Sequence, residues 1–573
     1  MHSFPDRRRS GACLMFAVLC IAAPWSARAQ EPVVLDGAHL TYRQVAQIAR
    51  AGAPVQIDPQ ARARVARAHD IVLAAAAADM PIYGLNRGVG SARQVAVLEG
   101  QRENASEVRK SSEAFNRNLL ISHSRATGPA TDAARVRAAM AVRLNTALTG
   151  SSGMQPVIAD MYAALLNAGI TPAVPRDASV GEADIFLLAY TGLAMMGVGD
   201  VIVDGQRQPA ARALRDAGIE PVRPFAKDAL AIMSSNAYSA GHAALVANDL
   251  EHLLRRADLV FLASLEALNG NVAPLLAGSV AVRPFKGHRE AAADMSDLLQ
   301  GSYLWKKDPA RFSQDPLSFR TTAQLHGALR EQLQALAGHL SIQLNASDDN
   351  PTVLVDVRAP DNAPEQEARY YVSGTVDGRP VQGAVIPTAH FEPVSWVLDA
   401  QAMAIGLSHL TNQSMQRANR LATKDFTGID LLEGQPPGSL AGFWKTANVI
   451  QTRVFADTLP VSSLVQPSAK DIEDVGTQAP LAIERLDRIV DHAYRMLGLE
   501  LAVAAEVIDR RLQAQPQLAL AAPTGELLAH ARLAMKQSQP RLPGGDIDAA
   551  YMLVRCTGDP AAKAAICGPA ASP

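Results

Sequence analysis

Long runs of helically spaced apolar side chains constrain this chain more than any other feature of its sequence. The stretch 477–512 keeps that spacing without interruption, and 59–79, 132–150 and 321–344 repeat it. Several of these runs exceed twenty residues, which is typical of long-helix bundles. We therefore predict a mainly α fold, built as an elongated bundle of long helices with a smaller, loop-rich N-terminal part.

Strand signals are few. The stretch 368–386 predicts a β-hairpin, because Asp377 and Gly378 form a favoured two-residue turn between two β-prone runs. Beyond the first 29 residues we divide the chain into three regions. These are an N-terminal region with the loops of interest, a central long-helix bundle and a C-terminal helical tail: 30–225, 226–520 and 521–573.

The first 29 residues predict a secretory signal peptide. Arg7, Arg8 and Arg9 precede an apolar stretch over 13–25, and Ala27 and Ala29 offer a small-residue cleavage site. We expect cleavage after Ala29 and a periplasmic location. The cleaved segment carries four Arg and one Asp, so its removal changes the formal net charge from −2 to −5. A mildly acidic chain without basic runs argues against nucleic acid as a partner.

Two cysteines lie close together near the C-terminus. In an oxidising compartment Cys556 and Cys567 favour a disulfide over two free thiols. Two cysteines without a nearby histidine make a poor zinc site, so we expect no metal. After the signal peptide no apolar stretch is long and uninterrupted enough to span a bilayer. We therefore expect no membrane association after export.

Six separated segments resemble, in matching order, motifs of the histidine/phenylalanine ammonia-lyase family. Each segment alone is a weak signal, but six in order make the resemblance strong. The segments are IYGLNRGVG (82–90), NRNLLISHSRATG (116–128), SQDPLSFR (313–320), SDDNP (347–351), HFEPV (390–394) and SAKDIEDVG (468–476). The resemblance implies the family's helical fold, a small-molecule substrate and a homotetramer whose active sites are assembled from several subunits.

A seventh segment departs from the family's pattern. Family members cyclise an Ala-Ser-Gly triad into an electrophilic methylidene-imidazolone, which needs a serine to dehydrate and a glycine for the strained closure. Here Val180 and Gly181 are followed by Glu182, Ala183 and Asp184, so neither residue is supplied. We therefore expect no prosthetic group and no other cofactor.

Loss of the ring changes the chemistry that the resemblance implies. The family's ring turns an amine into a good leaving group, whereas trimethylamine leaves a quaternary nitrogen without covalent help. The chain thus resembles ergothionase-like enzymes, which eliminate trimethylamine from ergothioneine to give thiourocanate. Two alternatives stay open at this point. One is a histidine or aromatic amino acid ammonia-lyase, and the other is a catalytically inactive protein that binds betaines.

The resemblance assigns the central chemical roles to three residues. Tyr83 is the expected general base, and since a free tyrosine has a pKa near about 10, the site must lower that value or couple deprotonation to substrate binding. Arg320 is the expected clamp for the substrate carboxylate through two parallel hydrogen bonds. Gln314 is expected to bond substrate or backbone. Leu317 replaces the family's tyrosine in this motif.

Lys445 and Glu473 are expected to bind the substrate ring. A lysine near a thiol-imidazole sulfur, or a carboxylate on a ring nitrogen, would stabilise charge delocalised after loss of the β-proton. The register is open, since Lys470 and Asp471 compete with Glu473.

Four further residues are expected to bind substrate. His123 matches the family's active-site histidine. Asn236 lies near the family's asparagine, although Ser234 aligns better without a gap, so either residue could have this role. Asn350 resembles the family's Asp-Asn-Pro asparagine but suits a local turn equally. Glu182, where the ring would sit, could attract a trimethylammonium cation, or serve as a glutamate favoured at a helix N-terminus.

Overall fold

The computed structural model describes residues 31–97, 105–431, 440, 442–535 and 542–556. The predicted signal peptide and Cys567 lie outside the described residues. From Pro32 onward the chain packs as one unit. The division of that unit at residues 225 and 520 remains a prediction.

Helices dominate the described residues, as predicted. In chain order α1 to α20 they span Tyr42–Arg50, Pro59–Ala77, Ala105–His123, Ala133–Leu148, Pro156–Asn167, Ile185–Met195, Ala210–Asp216, Asp228–Met233, Ala237–Leu268, Ala277–Ala281, Lys286–Leu298, Leu317–Arg320, Thr322–Asn345, Glu365–Ala368, Val394–Leu421, Lys424–Thr427, Trp444–Asp457, Ala479–Ala514, Ala522–Met535 and Pro543–Cys556.

The strands are short, with two to eight residues each. In chain order β1 to β10 they span Val33–Leu35, Val55–Ile57, Thr127–Ala130, Thr171–Pro172, Pro175–Asp177, Asp200–Val203, Gln206–Pro209, Thr352–Val355, Tyr371–Val376 and Arg379–Ile386. β1 pairs with β2 in parallel, and β3 pairs with β5 antiparallel. The other two sheets have three strands each, in the orders β4-β6-β7 and β8-β10-β9.

The four helices predicted from apolar spacing are confirmed as α2, α4, α13 and α18. Local signals set their starts: Asp58 caps α2, whose first residue is Pro59, and Asp132 caps α4. The predicted hairpin is confirmed as β9 and β10. Its turn residues Asp377 and Gly378 have positive φ values of 49° and 76°, as a two-residue turn with right-handed strand twist requires.

The core lies between the long helices. α9 is buried along almost its whole length and packs against α4, α13, α15 and α18. Burial extends to a charged pair: Arg417 on α15 donates to Glu500 on α18 from Nε at 2.5 Å and from Nη2 at 2.8 Å. Both side chains are fully buried. The helical bundle is therefore both the apolar core and the scaffold that holds the functional loops.

Within the described residues, no helix combines the length and apolar character needed to cross a membrane. Cys556, the last residue of α20, is disulfide-bonded.

Candidate active site

Tyr83 lies on the loop between α2 and α3. Its hydroxyl oxygen accepts a hydrogen bond from the Gly90 N–H at 2.8 Å, which closes the loop on itself. Gly84 has a positive φ of 73° and leaves no room for a Cβ beside Leu230 of α8, so the loop sits directly on the bundle. Burial, together with the negative charge of Glu473, raises the pKa of Tyr83, although the Gly90 hydrogen bond opposes the shift.

His123 ends α3 and comes close to the same carboxylate. Its Nδ1 lies 2.8 Å from the Leu119 carbonyl oxygen, which assigns the proton to Nδ1 and leaves Nε2 as the acceptor in the neutral ring. The ring meets Phe186 edge-on, with centroids 5.8 Å apart. Burial lowers the pKa of His123, while Glu473 acts in the opposite direction. The imidazole is therefore mostly neutral at pH 7.

Glu473 sits on a tight loop that precedes α18. Its Oε2 accepts a hydrogen bond from the Ser468 hydroxyl at 2.7 Å, and the two residues also pair through their backbones. Lys470 and Asp471 form the tip of the loop, both with a positive φ of 59°. Of the three candidates from this segment, Glu473 is the one whose charge acts on both Tyr83 and His123. This geometry supports Glu473 as the functional carboxylate of the loop.

The segment that departs from the family's pattern forms a tight turn against the start of α18. Gly181 has a φ of 96°, and a Cβ there would lie 2.6 Å from the Ala479 nitrogen and 3.1 Å from the Gln478 nitrogen. The Gln478 N–H donates to the Val180 carbonyl at 2.6 Å. Only glycine tolerates both this φ and this approach. The turn is thereby joined to the Glu473 loop, which ends at the same helix.

The residues of this turn do not fit the family's prosthetic group. Ring closure needs a hydroxyl to eliminate, and Ala183 has none. It also needs a free backbone nitrogen as nucleophile, but the Asp184 N–H donates to the Ser235 carbonyl at 2.7 Å. The fully buried Asp184 carboxylate accepts from Ser179 and Ser239, and burial raises its pKa to about 6. We derive no step through such a ring.

Asn236 stands at the start of α9 beside the Gly181 turn. Its Nδ2 donates to the Gly181 carbonyl at 2.9 Å, and its backbone N–H donates to Asp348 Oδ2 at 2.8 Å. Its Oδ1 is buried and receives no hydrogen bond. Ser234 only ends α8, where its N–H bonds the Leu230 carbonyl. The structure thus places Asn236, rather than Ser234, against the turn.

Asn350 has a local partner. Its Oδ1 accepts a hydrogen bond from the Thr388 N–H at 3.0 Å, as expected for the alternative reading that it holds a turn. The turn is close to the site, because Asp348 two residues earlier bonds Asn236. Thr388, which bonds Asn350, begins the segment 388–394, and this segment also contains Glu392.

Glu182 and Glu392 lie side by side. The exposed Glu392 carboxyl and the Thr477 amide both act on the Glu182 carboxyl. Burial, followed by the charge of Glu392, raises the pKa of Glu182 to about 8. Glu182 Oε1 is buried and receives no hydrogen bond from a donor group. The expected aromatic wall, Tyr190, directs its hydroxyl elsewhere, to the Ser124 and Ala126 carbonyls.

Arg320 and Gln314 lie far from these groups within one chain. Arg320 ends α12 and donates to Gln314 Oε1, while its Nε is buried without a partner. The 24-residue helix α13 then separates Arg320 from Asp348, a distance of about 36 Å at 1.5 Å per residue. Within a single subunit, Arg320, the residue expected to bind the substrate carboxylate, therefore does not lie near Tyr83.

Lys445 lies on a different surface. It is the second residue of α17 and lines a cavity of ≈ 570 Å³ with charged residues that include Asp491 and Arg495 of α18. Asp491 is twelve residues into α18 from Ala479, or about 18 Å along the helix axis. Within one chain the structure does not place Lys445 beside Glu473, so their expected pairing remains a prediction.

Sequence reasoning missed the buried charges beneath the site. Arg143 on α4 and Lys227 are both fully buried around Asp349, at 2.8 Å and 3.7 Å respectively. Burial lowers the pKa of Lys227 to about 8, and its Nζ donates to the Ser152 carbonyl. No local pattern signals such a cluster, because its members come from four separate segments of the chain.

Known proteins resemble this chain along most of its length. A family model for aromatic amino acid lyases matches residues 40–533. The histidine ammonia-lyase of Symbiobacterium thermophilum is 30% identical over 479 residues, covering 82% of this chain and 87% of that protein. The histidine ammonia-lyase of Sorangium cellulosum is 31% identical over 501 residues, covering 85% and 91%.

Among solved structures, ergothionase from Treponema denticola, in complex with desmethyl-ergothioneine sulfonic acid, matches with a TM-score of 0.79 and 30% identity. The match covers 91% of this chain and 98% of that one, which supports the resemblance to the ergothionase-like branch. The fold, the ordered motifs and these relatives agree. The chain belongs to the aromatic amino acid lyase family and is a carbon–nitrogen lyase.

Proposed function

We propose that this lyase eliminates trimethylamine from a histidine-betaine substrate, with ergothioneine as the first candidate, and without a methylidene-imidazolone. One observation carries the proposal: where the family builds an electrophile, this chain places the Glu182 carboxyl, whose buried Oε1 receives no hydrogen bond. A carboxylate repels an approaching electron pair and attracts a cation. The position therefore suits a quaternary nitrogen. The similarity to ergothionase gives independent support.

The elimination balances without a cofactor. The Tyr83 oxygen takes the β-proton, the C–H electron pair becomes the Cα=Cβ bond, and the C–N pair departs with nitrogen as neutral trimethylamine. The cationic charge of the substrate disappears in this step, so no acid is needed for the leaving group. In this proposal Glu473, whose charge acts on Tyr83 and His123, holds a ring nitrogen while negative charge spreads into the imidazole.

Deprotonation of Tyr83 is coupled to substrate binding in this proposal. A tyrosine can become a base through a lowered pKa or through deprotonation that is linked to substrate binding. Burial raises the pKa in the free chain, which counts against the first route. A bound cation beside the phenol favours the phenolate through direct electrostatic attraction. The substrate itself thus supplies the charge that makes Tyr83 a base.

The active site is proposed to be shared between subunits of a homotetramer. The length of α13 keeps Arg320 about 36 Å from Asp348 in its own chain. A second subunit then supplies the arginine that binds the substrate carboxylate. The family's tetrameric assembly, implied by the sequence resemblance, provides such a partner.

The proposal includes export to the periplasm after cleavage following Ala29. The disulfide at Cys556 supports it, since structural disulfides persist in oxidising compartments. Membrane fractionation of cells expressing the full chain, with N-terminal sequencing of the product, tests this. Retention of an intact N-terminus in the cytoplasm would contradict it.

The activity is tested by incubating protein that begins at Gln30 with ergothioneine, histidine betaine and histidine. We expect trimethylamine from at least one betaine and no ammonia from histidine. The Tyr83→Phe variant should bind substrate but lose about 10²-fold or more in rate. Ammonia release from histidine would restore the ammonia-lyase alternative. Binding of betaines without any product would restore the inactive-binder alternative.

A further inference from the structure

A cavity of ≈ 510 Å³ lies at the end of the helical bundle where α9 and α18 both finish. Its walls come from the end of α9, the segment 303–312, α16 with the glycine that follows it, and the last turn of α18 with the residues after it. Small-molecule sites have volumes of about 300–1,000 Å³, so the cavity has a suitable size. Its lining contains none of the residues of the candidate active site.

The lining carries an excess of positive charge. Five cationic side chains and two carboxylates give the walls a formal charge of +3, in a chain whose overall formal charge is −2. The charged residues of the lining are Lys306, Lys307, Asp308, Arg311, Lys424, Asp425 and Arg511. A concave surface with such an excess concentrates anions from solution.

The two arginines of the lining bond neutral groups. Arg311 donates to the Leu304 carbonyl from Nη1 at 2.6 Å and to Asn269 Oδ1 from Nη2 at 3.2 Å. Arg511 donates to the Ala267 carbonyl, near the end of α9, from Nη2 at 3.0 Å. Both side chains are only partly exposed, and within the described part of the chain neither has an ion-pair partner. Carbonyl and amide oxygens orient a guanidinium without neutralising its charge.

The three lysines of the lining are exposed. Among the described residues, Lys306, Lys307 and Lys424 have no ion-pair or hydrogen-bond partner. One of the two carboxylates already has a structural role, because Asp308 Oδ2 accepts a hydrogen bond from Asn269 Nδ2 at 2.7 Å. The positive charge of the cavity therefore lacks an internal counter-charge.

The segment 303–312 is fixed at both ends. At its start the Tyr303 hydroxyl donates to the Glu266 carbonyl of α9. Just beyond its end, Asn271 donates from Nδ2 to the Ser313 carbonyl at 3.1 Å and from its backbone N–H to Asp315 Oδ2 at 2.6 Å. A wall that is already held in place loses little conformational entropy when a ligand binds.

We propose that this cavity is a binding site for a small, multivalent anion of the phosphate class. Guanidinium groups match phosphate oxygens in pairs, and lysines bind phosphate as point charges. Phe312 also lines the cavity and is 54% exposed, so it provides an apolar contact for a phosphate that is carried on an organic group. The site lies outside the candidate active site, and the inference does not depend on the proposed elimination.

The test is calorimetry of the protein that begins at Gln30, titrated with sodium pyrophosphate and, separately, with phenyl phosphate and citrate. We expect saturable binding of pyrophosphate that weakens as sodium chloride is added. Pyrophosphate should bind at least about fivefold more tightly than citrate, whose charge is spread over a larger group. Absence of saturable binding by both phosphate probes would overturn the site. Tighter binding of citrate would overturn the assignment to phosphate.

Charge variants locate the site. Lys306→Gln and Lys424→Gln should each weaken pyrophosphate binding about fivefold, and Asp425→Asn should strengthen it by a similar factor. Lys110→Gln makes the same charge change at an exposed position on α3 and should match the parent. All four side chains are exposed, so far-UV circular dichroism should show an unchanged fold. Equal effects of Lys110→Gln and Lys424→Gln would overturn the proposal, because they would indicate unspecific attraction.

Phe312→Ala distinguishes the two sources of such an anion. If the phosphate is carried on an organic group, the variant should bind phenyl phosphate about fivefold more weakly and pyrophosphate unchanged. If the ligand is a free phosphate, both probes should bind the variant as they bind the parent. No substrate is present in any of these titrations, so their outcome is independent of whether the protein releases trimethylamine.

Discussion

Gly181→Ala tests the geometry on which the site depends. The substitution carries two costs. The first is the positive φ of 96° at Gly181, worth about 1–2 kcal/mol for a residue with a Cβ. The second is steric: the new Cβ would lie 2.6 Å from the Ala479 nitrogen, and overpacking of this kind costs about 1–3 kcal/mol. We therefore expect a total loss of about 2–5 kcal/mol.

Gly205→Ala is the matched control. Gly205 also has a positive φ, of 74°, but a Cβ there would meet nothing within 4 Å. It should lose only about 1–2 kcal/mol, the backbone share. Urea unfolding of both variants, followed by far-UV circular dichroism, measures the difference. The Gly181 variant should also lose trimethylamine release, whereas the control should keep it. Equal losses of stability in the two variants would refute the close approach of the turn to α18.

Three further outcomes follow from the structure. Arg417→Met leaves the buried Glu500 without its cation and should cost about 3–5 kcal/mol in urea unfolding. The kcat/KM for trimethylamine release, which reports the free enzyme, should still be increasing with pH at pH 9, because burial and Glu473 raise the pKa of Tyr83; a kcat/KM profile that falls above pH 7 would contradict this. The Tyr83→Phe and Arg320→Ala proteins can be mixed and refolded together. If each active site takes these two residues from different subunits, about a quarter of the sites should regain activity. No recovery would show that both residues come from one chain.

The fold could be predicted because its signals are local and repeated. The apolar spacing of 477–512 recurs over many turns, and α18 spans Ala479–Ala514 as a result. The hairpin turn at Asp377 and Gly378 depends on two adjacent residues, and the structure confirms it. Signals of this kind need no knowledge of what lies across the core.

The site was less predictable because its groups meet only in three dimensions. Glu182 alone is equally consistent with a helix N-terminus, and Glu392, whose carboxyl acts on it, lies more than two hundred positions later. The choice between Asn236 and Ser234 was undecidable from spacing, since it depends on the hydrogen bond to Gly181. Arg320 carries the family's motif, yet the length of α13 keeps it away from Asp348. Only the packed chain shows these relations.

In the proposed function, a carboxyl in place of an electrophile reverses the charge that this position presents to the substrate. An electrophilic ring needs an amine with a free electron pair, and such an amine must first lose its proton. In this proposal the Glu182 carboxylate needs the opposite, a nitrogen that is positively charged and stays so. The hydrogen bond from the Ser239 N–H to Asp184 and the close approach of Gly181 to Ala479 hold the turn in place without any ring. The scaffold of the family is thus compatible with an amine that leaves without covalent activation, because its nitrogen is already fully alkylated.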